Sequence, residues 1–361
     1  MANDDRIFSC DDHLDMWTLP AKLWEERLPA GLRERGPRVK PTPQGDMWMV
    51  GDLVLGASRL KVKSYNALTR AGIDDDGSRA SDPKLRLQDM DLDSIYASVI
   101  YGPSLFGLPI PDPELKWTCL ATYNDWAADF NAVDRKRLCA LPVLPTHNPE
   151  AAVKELERVA KLGHRGAIFS PFEARVSDPQ WEILWQACAS LAMPLSFHIG
   201  GGFSMLRSAY QSWEMAAFSA AAPIQLDEPL CAMVLSGALE RNPKMKLVLA
   251  EAGIGWMPFI LMRMDASGAK HLPHATDYRL KHKPSEVFRA QVLATFEEEP
   301  LGPRLIPLIG EDNVMWASDY PHPDSTFPNS KKAIEEAFAG LDPTIRRKAT
   351  AENCARLYHL A

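Results

Sequence analysis

The chain has 361 residues, 46% of them hydrophobic, and carries 40 Lys+Arg against 47 Asp+Glu for a formal net charge of −7. A chain of this size buries a large core without disulfides or a structural metal. Its acidic balance argues against a nucleic-acid or anionic-membrane partner, whose footprint would be basic, and no apolar stretch is long enough to span a bilayer.

Met1–Ser9 lacks the basic-then-apolar pattern of a secretory signal. The six cysteines are scattered, with no C-x-x-C pair, and read as reduced thiols of a cytoplasmic protein. Short apolar runs recur along the chain at 7–10, 97–101, 138–144, 166–169, 194–199, 246–250, 288–296 and 314–317. Helix signals separate several of them. Asn148-Pro149 opens one helix as N-cap and first position, Val153, Leu156, Val159 and Ala160 form its apolar stripe, and Gly163 ends it. Asp178-Pro179 opens the next, and Gly255–Met264 reads as another, with Pro258 in its first turn.

Strands alternating with helices imply right-handed βαβ units and a parallel sheet, and eight of them predict a closed (β/α)₈ barrel. An open doubly wound sheet is the rival architecture, but no nucleotide-binding glycine motif follows any strand. Gly200–Gly202 predicts a loop where backbone comes close to a ligand. Residues 14–91 are long for one strand-to-helix connection. They include a predicted hairpin at Met47–Leu55 that turns at Gly51-Asp52, and they read as an insertion over the barrel mouth within one domain, 1–361. A second long loop, Ser267–Ser285, carries His271, His274 and His282, which read as solvated residues.

Barrel enzymes place their chemistry at the carboxyl ends of strands. Asp11 and His13 close the first strand, two residues apart and so on one side; His198 closes the fifth, Glu251 the sixth and Asp319 the eighth, followed by His322. Taken singly, these read as turn caps or satisfied core residues. Glu251 is harder to place that way, because a buried carboxylate at the end of an apolar strand needs a cation or donors. Taken together, carboxylates and imidazoles from four strands are the ligand mix for Zn²⁺, Mn²⁺ or Fe²⁺. Asp12 and Asp15 read as supporting or surface residues.

The segments CDDHLD (10–15), RLQDMDLDSIYASVIYG (86–102), YNDWAADF (123–130), FHIGGG (197–202), LVLAEAGIGWMP (247–258), ASDYPHPDSTFP (317–328) and ENCARLYHLA (352–361) carry a resemblance over nearly the whole chain. In order, they resemble the amidohydrolase-related branch of the amidohydrolase superfamily, which includes aminocarboxymuconate semialdehyde and resorcylate-type decarboxylases. The resemblance implies a mononuclear metal site on Asp11, His13, His198 and Asp319. It also marks two departures. Glu251 stands where the decarboxylases carry a His, and the fourth strand end offers only Ser170 where dinuclear hydrolases carry a carboxylated Lys.

The expected activity is metal-dependent hydrolysis or decarboxylation of a small carboxylated or cyclic molecule, with Asp319 and His322 as proton carriers. An iron-dependent oxygenase, mononuclear or dinuclear, is the alternative, because Glu251 adds a bridging carboxylate. A non-catalytic partner subunit is a third, weaker reading, motivated by ten Trp. A homo-oligomer is expected, with a related subunit as the other arrangement.

Overall fold

The computed structural model describes residues 6–58, 66–75, 77–103, 108–201, 212–275 and 277–360. Its strands are β1 (Ile7–His13), β2 (Arg38–Thr42), β3 (Gly45–Val50), β4 (Leu53–Ala57), β5 (Ile95–Tyr101), β6 (Leu138–Ala140), β7 (Ala167–Ile168), β8 (Leu195–His198), β9 (Leu247–Ala250), β10 (Val292–Phe296) and β11 (Val314–Trp316). Eight of these are parallel and lie in two arcs, β1-β5-β6 and β7-β8-β9-β10-β11.

Backbone hydrogen bonds join the arcs at both seams. At one, Ile168 N donates to Pro142 O at 2.8 Å, and Leu144 N donates back to Ile168 O at 2.9 Å. At the other, Asp319 N donates to Asp11 O at 3.0 Å, and His13 N to Tyr320 O at 2.7 Å. The eight strands therefore close into a ring, the (β/α)₈ barrel that the alternation predicts. Every residue of β1, β8, β9, β10 and β11 is buried, as a sheet covered by helices on its outer face requires.

Local signals account for the helix ends. The Asn148 side chain accepts from Ala151 N at 2.8 Å, and Gly163 ends that helix at φ 91°, a conformation that costs glycine nothing. Leu156 and Val159 are buried on its inner face. A longer helix, Pro113–Ala132, starts in the same way, with Asp112 as N-cap. The predicted hairpin is β3–β4, turning at Gly51-Asp52, and β2 pairs outside β3 in a separate antiparallel sheet. Pro83–Leu92 is the helix that crosses from this region to β5.

Two expectations need correction. The run 288–296 is strand only from Val292, because Pro284–Gln291 is a helix whose apolar face runs without a break into β10. Ser267–His271 is the end of helix Met257–His271, followed by a 3₁₀ turn Leu272–His274, and Pro284 opens the next helix, so of Ser267–Ser285 only the described residues between His274 and Pro284 are loop. No helix among the described residues is long and apolar enough to cross a membrane.

Asp93, at the end of the Pro83–Leu92 helix, is buried and accepts from Ser330 N at 2.9 Å and from Ser330 Oγ at 2.5 Å, capping another helix across the fold. Burial outweighs these bonds and raises its pKa from 3.8 to about 6. The native state therefore holds a proton that the unfolded chain has released, and stability contributed below the ordinary value is lost as pH rises through about 6. Asp93→Asn should remove that part of the fall in melting temperature between pH 3.8 and about 6. An unchanged slope in that window would show that Asp93 ionises freely.

Candidate metal centre

Asp11 and His13 leave β1 on its cavity side, His198 ends β8, Glu251 follows β9, and Asp319 follows β11 by three residues. Glu251 and Asp319 take the left-handed conformation, at φ 52° and 60°, which costs a residue with a Cβ about 1–2 kcal/mol. Such strain persists where surrounding structure holds it, and here it turns both carboxylates inward. The donors fall into two sets, Asp11, His13 and His198, and His13, Glu251, Asp319 and His322, each with ligand atoms within 4.8 Å of one another.

The hydrogen bonding shows which atoms are spoken for. Asp11 Oδ2 accepts from Glu251 N at 2.6 Å and from Thr295 Oγ1 at 2.8 Å. His198 Nδ1 lies 2.9 Å from Ile199 O and so carries the proton, which leaves the lone pair on Nε2. At the centre of the group, Asp11 Oδ1, His13 Nε2, His198 Nε2 and Asp319 Oδ1 are buried and make no well-formed hydrogen bond, and His13 Nδ1 is likewise without one. The first four face one another. His13 Nε2 is 2.8 Å from Asp319 Oδ1 and 3.6 Å from Asp11 Oδ1, and His198 Nε2 is 3.3 Å from Asp11 Oδ1. Glu251 Oε2 comes within 3.2 Å of His198 Nε2. Unpaired buried acceptors converging in this way fit a divalent cation, which supplies the missing partner to each of them.

The same crowding shifts the titration of these groups. Burial opposes charge on His198, but Asp11 and Glu251 outweigh it and raise its pKa to about 9. Burial, reinforced by Asp319, pushes Glu251 up to about 7 against the pull of the imidazoles. Burial also works against an ionised Asp319, yet His322 and His13 hold it below the usual carboxylate range.

His322 joins the group from the loop after β11. It stacks on His13 with ring centroids 3.9 Å apart, places Nδ1 2.8 Å from Asp319 Oδ1, and places Nε2 2.6 Å from Asp15 Oδ2. The resulting row, Asp15–His322–Asp319, gives Asp15 a role that its position in the sequence does not reveal. Despite burial, His322 and then His13 hold Asp15 at about 2.

Glu297 is a second residue that the strand-end reading leaves out. It follows β10 directly, lines the cavity, and is raised well above the usual range by burial, then by Asp319, Glu251 and Asp11. The cavity has a volume of about 680 Å³ and extends from Glu251, Asp319 and His322 past Trp17 and Phe218 to Leu55–Ala57 of β4. Gly200 lines it at φ 115°, and Gly202 lies outside the described residues. His282 is elsewhere, bonded to Glu240, and neither His271 nor His274 joins the donor sets.

A parallel barrel with carboxylates and imidazoles gathered at its carboxyl-end mouth defines an α/β-barrel enzyme. The family model described as Amidohydrolase matches residues 115–360, and the chain belongs to that enzyme family. It is 26% identical over 253 residues to 2-amino-3-carboxymuconate-6-semialdehyde decarboxylase of Dictyostelium discoideum, covering 68% of each chain. It is 24% identical over 296 residues to gamma-resorcylate decarboxylase of a Rhizobium species, covering 76% of this chain and 86% of that one.

Among solved structures, an amidohydrolase from Mycobacterium avium subsp. paratuberculosis superposes with a TM-score of 0.78 at 19% identity, covering 99% of this chain and 100% of that one. A dihydroxybenzoic acid decarboxylase from a Polaromonas species, solved with bound manganese, superposes at 0.67 and 18% identity, covering 98% and 97%. At these identities the structural likeness speaks for the fold.

Proposed function

We propose that this chain is a metal-dependent carbon–carbon lyase that decarboxylates a small carboxylated cyclic molecule, with hydrolysis as the other reaction open to the same centre. The observation that carries this is the convergence of four buried atoms, Asp11 Oδ1, His13 Nε2, His198 Nε2 and Asp319 Oδ1, that crowd against one another and make no well-formed hydrogen bond. The decarboxylase activity of the curated relatives supports the lyase reading. Asp11, His13, His198 and Asp319 would hold the ion, with Glu251 as a fifth ligand. When bound, a divalent ion polarises a substrate oxygen or acidifies a water.

The protein's own part is proton handling and enclosure. His322 Nδ1 stands 2.8 Å from Asp319 Oδ1, and Asp15 holds its other nitrogen. As carbon dioxide leaves, the electron pair stays on the ring carbon, and the His322–Asp319 pair delivers the proton that carbon takes up. We read residues 14–91 as an insertion within one barrel domain, 1–361, that narrows access to the mouth. Leu55, Gly56 and Ala57 on the cavity wall support this.

The test is an assay of ortho-hydroxylated aromatic acids, lactones and amides with protein reconstituted with Mn²⁺, Zn²⁺ or Fe²⁺. Carbon dioxide release that a chelator abolishes and metal restores is the expected result. No metal-dependent turnover of any of these would overturn the reading.

The second reading, an iron-dependent oxygenase, is favoured by one feature: Glu251 and Glu297 add two carboxylates beyond what one ion needs, and anionic oxygen-rich sites suit iron or manganese over zinc. Iron retained through aerobic purification, with oxygen consumed on substrate addition, would select it. Stoichiometric zinc alone would exclude it.

A further inference from the structure

We infer that Asp12 and Arg86 form a buried clamp that positions the two ligand-bearing strand ends and thereby sets the metal affinity of the centre without touching the ion. The inference rests on the metal reading above.

The ligands alternate with residues that face away from the cavity. Asp12 lies between Asp11 and His13, while Ser318 and Tyr320 flank Asp319. In the pairing of β1 with β5, Ser9 faces Ser98 and Asp12 faces Ile100, so β1 takes three steps where β5 takes two. This is a bulge of one extra residue, a device that re-aims side chains beside functional sites. It brings Asp12 onto the same side as Ser9, whose hydroxyl donates to Asp12 Oδ1 at 2.6 Å.

The same Oδ1 accepts from Ser318 Oγ at 2.8 Å and from Tyr320 N at 3.3 Å. The carboxylate thus grips both neighbours of Asp319. Its Oδ2 accepts from Ser98 Oγ, and from Arg86 at 3.1 Å. Arg86 is fully buried, and its other amino group donates to the His13 carbonyl at 2.9 Å and to Ala80 O at 3.2 Å. Its guanidinium also lies 5.0 Å from the Tyr320 ring centroid, and the Tyr320 hydroxyl donates to Asp89 at 2.6 Å.

One ion pair therefore fixes the backbone of His13 from one end and the residues around Asp319 from the other. His13 Nε2 and Asp319 Oδ1 are themselves only 2.8 Å apart, and metal–ligand distances tolerate about 0.2 Å. Neither Asp12 nor Arg86 lines the cavity, so both are positioning residues.

The test is a Co²⁺ titration of the metal-free full chain, followed by visible absorption and run well below the melting temperature of each variant. Wild type should bind Co²⁺. Asp12→Asn, which leaves Arg86 without its counter-charge, should weaken binding by about 10–100-fold and alter the Co²⁺ spectrum, as loss of a group that orients a ligand does. Ser318→Ala removes one bond of the clamp and keeps the buried ion pair. It should weaken binding several-fold with little change in melting temperature, and it decides the matter if Asp12→Asn does not fold.

A purely structural role would lower melting temperatures and leave affinity and spectrum at wild-type values. That result, in folded Asp12→Asn or, failing that, in Ser318→Ala, would overturn the clamp alone. Absence of Co²⁺ binding by wild type would overturn the metal reading and the clamp with it.

Discussion

His198→Ala is expected to empty the metal centre while leaving the barrel folded. The His198 ring is held by its Nδ1 proton on Ile199 O, 2.9 Å away, so Nε2 is the nitrogen left to bind an ion, and it faces the carboxylates of Asp11 and Glu251. Removing it leaves Asp11 Oδ1 and Glu251 Oε2, which sit 3.3 and 3.2 Å from that nitrogen, without the imidazole between them. Loss of a residue that merely orients a ligand costs about 10–100-fold in affinity, and loss of the ligand itself should cost at least the upper figure.

The fold should survive. The apolar core runs continuously through all eight barrel strands and does not depend on this polar side chain. Metal content after reconstitution, measured beside the circular dichroism of the same sample, checks both halves. A folded variant with wild-type metal content would show that His198 is no ligand.

The wild type offers a companion measurement. Burial opposes the His198 charge, but Asp11 and Glu251 raise its pKa to about 9. A proton must therefore leave before Nε2 can donate, and metal affinity should climb as pH rises towards that value.

The barrel was legible because parallel strands covered on both faces read as short apolar runs, and each of the eight runs overlaps one barrel strand. The boundary error at 288–291 has a physical cause. Val287 and Phe288 face the core from a helix, Val292 and Leu293 face it from a strand, and hydrophobicity alone does not separate the two.

The five strand-end residues Asp11, His13, His198, Glu251 and Asp319 were legible for a simple reason: the barrel sends its strand ends to one place. What surrounds them was not. Asp12 and Asp15 lie within one short acidic segment, and only the bulge in β1 turns one outward to Arg86 while the other meets His322. Glu297 obeys the strand-end rule, since it follows Phe296 directly. It is hidden by Glu298 and Glu299, which give the segment the composition of a solvated turn.

Glu251→Gln should separate the roles open to this position. Glu251 is fixed by its backbone, with N donating to Asp11 Oδ2 at 2.6 Å and to Thr295 Oγ1 at 2.7 Å, and its carboxylate points at His198 and His13 from 3.2 and 3.6 Å. Among the described residues its only ion-pair partners are these imidazoles, so a structural pairing to arginine has no support.

The amide keeps nearly the same shape and removes one negative charge. If the carboxylate is a ligand, metal affinity should fall by an order of magnitude or more, because a neutral amide oxygen is a poorer donor to a divalent ion. If it acts on substrate as an acid or base, metal should stay and turnover should fall by about 10²–10⁴-fold. The first outcome is the expected one, because Glu251 Oε2 lies as close to His198 Nε2 as the unpaired oxygen of Asp11 does.

The metal-free variant should remain as stable as metal-free wild type. Burial and the nearby Asp319 already raise Glu251 to about 7, so its ionised form adds little to the fold. Metal content, turnover and melting temperature on one preparation check the three statements together. Unchanged metal content with unchanged turnover would remove Glu251 from the chemistry, and with it the bridging carboxylate on which the oxygenase reading depends.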